Sequence, residues 1–234
     1  MKTIGLIGGM SWESTLSYYT LLNEGVKAQL GGLHSAKIVL VSVDFAEIEA
    51  QQHKGDWHGA AELLAQAAQS VEAAGADFVL ICTNTMHKVA DQVQQAISVP
   101  LLHIADATGQ ALVRDNIKKV GLLGTRFTMQ ETFYRQRLED KYALEVCVPD
   151  SADQQRVHDV IYQELCLGKI YDSSRDEYLK IIAALKAAGA EAVILGCTEI
   201  ALLIGDENLE IPLYDTTSLH VRSALNLSLE PEQS

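Results

Sequence analysis

Apolar residues fall into short, nearly unbroken runs separated by longer stretches with helical spacing. Residues 3–7 form the first run and stop at Gly8-Gly9, which predicts a buried strand. Residues 14–30 follow with helical composition and end at Gly31-Gly32. A Val- and Ile-rich run at 37–43 predicts a second strand, and 59–74, closed by Gly75, predicts the next helix. A third strand is expected at 78–82, a helix at 88–97 before Pro100, and a short strand at 101–104. Strands that are apolar on both faces and alternate with helices predict an α/β fold, with a parallel sheet covered on both sides.

The pattern then starts again. Lys119-Val120-Gly121-Leu122-Leu123-Gly124 echoes Thr3-Ile4-Gly5-Leu6-Ile7-Gly8 at a spacing of 116 residues. Each is followed by a polar helix start and then aromatics, Tyr18-Tyr19 in one case and Phe133-Tyr134 in the other. Ala73-Ala74-Gly75-Ala76-Asp77-Phe78-Val79-Leu80-Ile81 corresponds to Ala187-Ala188-Gly189-Ala190-Glu191-Ala192-Val193-Ile194-Leu195 at a spacing of 114. Val99-Pro100-Leu101 corresponds to Ile211-Pro212-Leu213 at a spacing of 112. Unrelated βα units explain one such likeness easily and three collinear ones poorly. The expected organisation is two similar α/β halves: residues 1–101 plus 213–234 in one domain and 102–212 in the other. A helix at 217–227 is expected to return the chain to the first domain, with a frayed tail beyond Leu229.

Composition narrows the classes of function. The chain has 234 residues, 48% of them hydrophobic and 21% charged, which excludes a disordered chain. A net charge of −13 repels phosphate backbones and anionic lipids, so neither nucleic acid nor a membrane is an expected partner. The N-terminal residues lack the pattern of a signal peptide, and no apolar run has the length of a membrane helix. The four cysteines are scattered, with neither a CxxC pair nor zinc spacing, so reduced thiols in a cytoplasmic protein without a metal site are expected. Gly5-x-x-Gly8-Gly9 is not a dinucleotide fingerprint, and no phosphate-binding GxxxxGK[ST] loop occurs.

In open α/β sheets, ligands bind beyond the carboxyl ends of the strands. The third strand of the first half leads into Cys82-Thr83-Asn84-Thr85-Met86-His87, and its counterpart leads into Gly196-Cys197-Thr198-Glu199. The 114-residue spacing aligns Thr83 with Cys197 and Asn84 with Thr198. Two such loops on opposite walls of a cleft suit the inversion of a stereocentre, in which one group removes a proton and the other delivers one to the opposite face. A thiolate can serve as the base, and a helix N-terminus would lower its pKa. The hydroxyls of Thr83, Thr85 and Thr198 and the amide of Asn84 are candidate donors to a substrate carboxylate.

These residues resemble the aspartate/glutamate racemases that work without pyridoxal phosphate. The likeness runs through Ile4-Gly5-Leu6-Ile7-Gly8-Gly9-Met10, Thr83-Asn84-Thr85-Met86-His87, Leu123-Gly124-Thr125 with Thr128, and Gly196-Cys197-Thr198-Glu199. Gly9-Met10-Ser11-Trp12-Glu13-Ser14-Thr15, and Glu199 where glutamate racemases more often carry His, resemble the aspartate racemase branch. The resemblance implies two pseudo-symmetric parallel-sheet α/β domains with the active site in the cleft between them. It also implies an amino-acid substrate, no cofactor, and a homodimer. One departure stands out: Thr83 occupies the usual first catalytic Cys position, with Cys82 one residue too early and expected against the sheet. The implied mechanism is asymmetric, with Cys197 the thiolate base for the L enantiomer and Thr83, or a water it positions, the opposite-face donor.

The remaining candidates have structural readings beside the functional ones. Met10 is expected to contact substrate from the first loop, and Gln52 to recognise its side chain; a solvated helix position is the alternative for Gln52. Thr125 and Thr128 can bind substrate or cap a helix. Glu199 can orient Cys197 or serve as a structural acceptor, and His87 can support its own loop. Cys147 and Cys166 read as buried apolar side chains. Arg126 is the one arginine placed at a strand end. Alternative functions are a racemase of other or non-protein amino acids, a hydantoin racemase or maleate-isomerase-like enzyme, and a non-catalytic amino-acid-binding module.

Overall fold

The apolar runs become parallel strands in two sheets, and the computed structural model describes residues 1–205 and 209–230. The chain divides into one unit of Met1–Ile104 with His220–Ser234 and another of Ala105–Leu219. These crossings differ from the expected ones at 101/102 and 212/213. The strand at 213 stays with the second unit because it is hydrogen-bonded there, and the helix after it carries the chain across.

In the first unit, β1 (Ile4–Gly8) lies between β2 (Ile38–Ser42) and β3 (Phe78–Ile81), all parallel. Alternation along the strands sends side chains to two cores. Ile4, Leu6, Phe78, Leu80 and Cys82 pack with Tyr18, Leu22 and Val26 of α1 (Trp12–Leu30) and with Val221, Ala224 and Leu225 of the final helix. Ile7, Val79 and Ile81 face the other way, onto Leu64, Ala67, Ala68 and Val71 of α3 (Trp57–Ala73). The expected strand at 101–104 is a single parallel bridge from Leu101 to Val79, because a helix already begins at Ile104. The expected helix at 88–97 is a tight 3₁₀ turn, Thr85–Val89, followed by α4 (Ala90–Gln95). The hydrophobic pattern also passed over α2 (Phe45–Lys54), which Asp44 caps by accepting the Ala46 N–H and Gly55 closes in the left-handed region.

The second unit repeats the plan. It opens with α5 (Ile104–Arg114), whose first residue belongs to the first unit, and β4 (Lys119–Gly124). After α6 (Arg126–Gln130) and α7 (Thr132–Tyr142) comes β5 (Glu145–Cys147). α8 (Ser151–Gln163) and α9 (Asp172–Ala187) precede β6 (Ala192–Gly196), α10 (Ile200–Leu203), β7 (Leu213–Asp215) and α11 (Thr216–Leu229). The sheet order is β5-β4-β6-β7, all parallel, matching β2-β1-β3 and the Leu101 bridge in the first unit. Registers match too: Ile4 pairs with Phe78 as Val120 does with Ala192, and Val79 pairs with Leu101 as Val193 does with Leu213.

The repeated Ala-Ala-Gly-Ala segments have one physical job. Helices α3 and α9 each end at a glycine of positive φ, Gly75 at 94° and Gly189 at 92°. The following Ala76 and Ala190 N–H groups reach back to the Val71 and Leu185 carbonyls, closing both helices in the same way before the next strand. A frayed tail at 231–234 lies outside the described residues. No helix of the described residues is long and apolar enough to cross a membrane.

Candidate active site

The candidate residues gather at the carboxyl ends of the strands, in two clusters, one per unit. In the first, β1 ends in a turn that needs glycine. Gly9 has φ +94°, and a Cβ there would stand 2.1 Å from the Val43 carbonyl. Its N–H donates to Thr15 Oγ1 at 2.8 Å, and Ser11 then caps α1 by accepting the Ser14 N–H. The Met10 side chain is buried in the apolar core with Ile7, Ile48 and Met86. Gln52, on the α2 helix that the hydrophobic pattern missed, is buried and places Nε2 3.0 Å from Met86 Sδ. That contact joins Gln52 to the 82–87 loop.

Within that loop the carbonyls of Cys82, Thr83 and Asn84 are each tied. Ser14 Oγ donates to the Cys82 carbonyl at 2.9 Å. His87 Nδ1 lies 2.8 Å from the Thr83 carbonyl, and the His87 N–H donates to the Asn84 carbonyl at 3.0 Å. Cys82 is fully buried on the α1 side of the sheet, and burial pushes its thiol well above the ordinary value. Position 83 shares the strand parity of Val79 and Ile81, on the opposite face. Thr83 is half-buried, while Asn84 and Thr85 are buried.

In the second unit, Val193, Leu195 and Cys197 share one strand parity and one core, so Cys197 holds after β6 the place that Thr83 holds after β3. Its thiol donates to Glu199 Oε2 at 3.0 Å, and Thr198 Oγ1 donates to the same oxygen at 2.7 Å. Burial pushes the Cys197 thiol well above its ordinary value, and the charges of Glu199 and Cys166 push the same way. This corrects the expectation of a thiol acidified by a helix N-terminus. Helix α10 has only four residues, and the nearest charge is a carboxylate. Cys166 also departs from its reading as buried and apolar. It is half-buried on the 3₁₀ turn Leu165–Leu167, with Sγ 3.9 Å from Glu199 Oε1. The signal for it was the Glu164-Leu165-Cys166-Leu167-Gly168 segment, which carries no chemical pattern beyond its cysteine. Cys147 is half-buried as well, with Sγ 3.3 Å from the Val120 carbonyl.

Thr125 caps α6, accepting the Thr128 N–H at 3.3 Å, and the two hydroxyls lie 3.2 Å apart. The Thr128 methyl packs where β4 and β6 end: a Cβ on Gly196 would stand 3.4 Å from it. Thr128 therefore borders the Cys197 strand end while also belonging to a helix cap. Arg126 is exposed. Among the described residues, no group of three His, Cys, Asp or Glu side chains could hold a metal ion.

A family model described as Asp/Glu/Hydantoin racemase matches residues 7–224. The structure of a provisional Asp/Glu racemase from Yersinia pestis superposes with a TM-score of 0.92 at 54% identity, covering 98% of this chain and 100% of that one. An aspartate racemase homologue from Pyrococcus horikoshii OT3 gives 0.85 at 34% identity, covering 98% and 100%. The broad specificity amino-acid racemase RacX of Bacillus subtilis (strain 168) is 25% identical over 169 residues, 69% of each chain.

Proposed function

The chain belongs to the Asp/Glu/Hydantoin racemase family, and on that premise we propose that it racemises aspartate, glutamate or a related amino acid by proton transfer between its own side chains, without a cofactor. In this reading the Cys197 thiolate takes the α-proton of the L enantiomer and becomes a thiol. The electron pair left on the α-carbon delocalises into the substrate carboxylate. The Thr83 hydroxyl, directly or through a water, gives a proton to the opposite face, and solvent restores it. Asn84, Thr85, Thr128 and Thr198 donate to the carboxylate as its charge grows. Met10 lines the substrate loop through its backbone, and Gln52 meets the substrate side chain.

The observation that carries this reading is the buried Cys197–Glu199 pair. A thiol whose pKa is pushed up is scarce as thiolate, but that thiolate is a stronger base toward a weakly acidic C–H. Glu199 accepts the thiol hydrogen bond at rest, so it is placed to hold the proton that Cys197 must lose before it can act. Thr83 has no comparable acceptor role: a hydroxyl is a weak base and an adequate donor, which makes the two directions unequal in their exchange behaviour. The equilibrium between enantiomers is untouched by this asymmetry.

The test is a panel of L- and D-amino acids in D₂O without added cofactor, scored for α-deuteration and chirality. Exchange with inversion on an acidic amino acid supports the reading. Binding by calorimetry without any α-exchange would establish instead an amino-acid-binding module, and exchange confined to hydantoins would move the chain to that branch of the family.

A further inference from the structure

We propose that His87 is a positioning residue for the Thr83 side of the reaction, acting as a neutral imidazole that clamps the Thr83 carbonyl to the backbone of Ile104. The inference rests on the racemase reading above and adds the group that holds its weaker proton donor in place.

Hydrogen-bond chemistry fixes the His87 proton without any titration argument. The Ile104 N–H can only donate, and it points at His87 Nε2 from 3.2 Å, so Nε2 is the unprotonated nitrogen. The proton is then on Nδ1, which donates to the Thr83 carbonyl at 2.8 Å. One ring thus spans from the loop after β3 to the start of α5. Around it lie two more buried imidazoles, His103 with its ring centroid at 4.5 Å and His220 at 5.8 Å. His220 has the opposite tautomer by the same logic: Nε2–H donates to the Leu102 carbonyl at 2.8 Å, and Nδ1 accepts the Tyr18 hydroxyl at 2.8 Å. Burial pushes His220 down to about 3, so it stays neutral.

The clamp sits where the chain leaves and re-enters the first unit. Ile104 is the last residue before the first crossing, and His220 is the first residue after the second. Residues 102–104 are held at the Leu102 carbonyl by one imidazole and at the Ile104 N–H by the other. Since the Cys82 and Asn84 carbonyls are tied independently of the His87 ring, losing the ring frees the Thr83 peptide in particular. A Thr83 hydroxyl displaced by even a fraction of an ångström delivers its proton less well, while Cys197 keeps its own partners.

The test separates the two faces of the substrate. With an L substrate in D₂O, deuterium entering the remaining L form reports Cys197, and formation of the D form reports delivery from the Thr83 side. H87A should lower D-product formation on the order of ten- to a hundredfold while L-form deuteration stays within about twofold. H87N, which keeps a donor at the Nδ1 place, should recover most of the loss, and H87Q should not. Nitrogen NMR of the imidazoles, which needs no turnover, should show His87 protonated on Nδ1 and His220 on Nε2 at neutral pH. Equal loss of both readouts, no loss of either, or a His87 protonated on Nε2 would overturn the proposal. A wild-type protein that exchanges no amino acid would instead strike the racemase reading, and the imidazole spectrum would still decide whether the clamp exists.

Discussion

The loops after β3 and β6 start from the same backbone plan and end in different chemistry. Both follow the strand that pairs with the first strand of their unit, at matched register, and both put the residue of interest at the same strand parity. The loop at 83 is wired to imidazoles and backbone, with a half-buried hydroxyl at its head. The loop at 197 is wired to a carboxylate, with a buried thiol at its head and a second thiol nearby. Duplication supplies the symmetry that inversion of a stereocentre needs. In the proposed mechanism, side-chain environment decides which half acts as base. A hydroxyl is the weaker base of the two, and the thiol sits on a carboxylate.

Removing the thiol breaks the comparison most severely. Cys197→Ala should lower α-exchange from the L enantiomer about 10²- to 10⁴-fold, the usual worth of a positioned proton-transfer group, measured as deuterium incorporation at saturating substrate. Persistence of that exchange would remove Cys197 from the mechanism. Glu199→Gln comes next and separates two roles of the carboxylate. Loss of its charge should bring the Cys197 thiol down toward its ordinary value, seen in thiolate absorbance against pH. If Glu199 is the proton acceptor, exchange should nevertheless fall, by about ten- to a hundredfold. Exchange that rises with the thiolate fraction would leave Glu199 as an electrostatic brake only.

The imidazole-wired unit offers a smaller effect, on stability. His220 is held at about 3 when folded against an ordinary 6.5, so below pH 6.5 the unfolded chain takes up a proton that the folded chain does not. Its contribution therefore falls as pH drops from 6.5 toward 3, by at most about 1.4 kcal/mol per pH unit. Urea unfolding should show H220Q less stable than wild type at pH 7 but with a shallower loss of stability between pH 6.5 and 4.5. Parallel slopes would mean that His220 charges freely in the native state.

Much of this was readable from the chain because duplication writes itself into spacing. The three echoes at 116, 114 and 112 residues became matched strand registers, and the Ala-Ala-Gly-Ala segments became matched helix ends. Helix α2 escaped because its buried face is only Ile48 and Gln52, too little apolar period to announce a helix; its Asp44 cap and Gly55 end were the remaining signals. The raised thiol of Cys197 escaped for another reason. Proximity to a helix start is visible in sequence, but burial and the direction of the Glu199 side chain depend on packing across the unit. Cys166 is 33 residues from Glu199, and His220 is 118 from Leu102, so no local pattern joins either pair.

The central claim is that Cys197 and Thr83 hold equivalent places with unequal basicity, and Thr83→Cys tests it most directly. The measurement is α-proton exchange from separated L and D enantiomers in D₂O, for wild type and for this variant. The account predicts that wild type exchanges the L enantiomer much faster than the D. Thr83→Cys should raise D exchange about tenfold or more while changing L exchange little. Equal rates for the two enantiomers in wild type, or no gain from D in the variant, would contradict it.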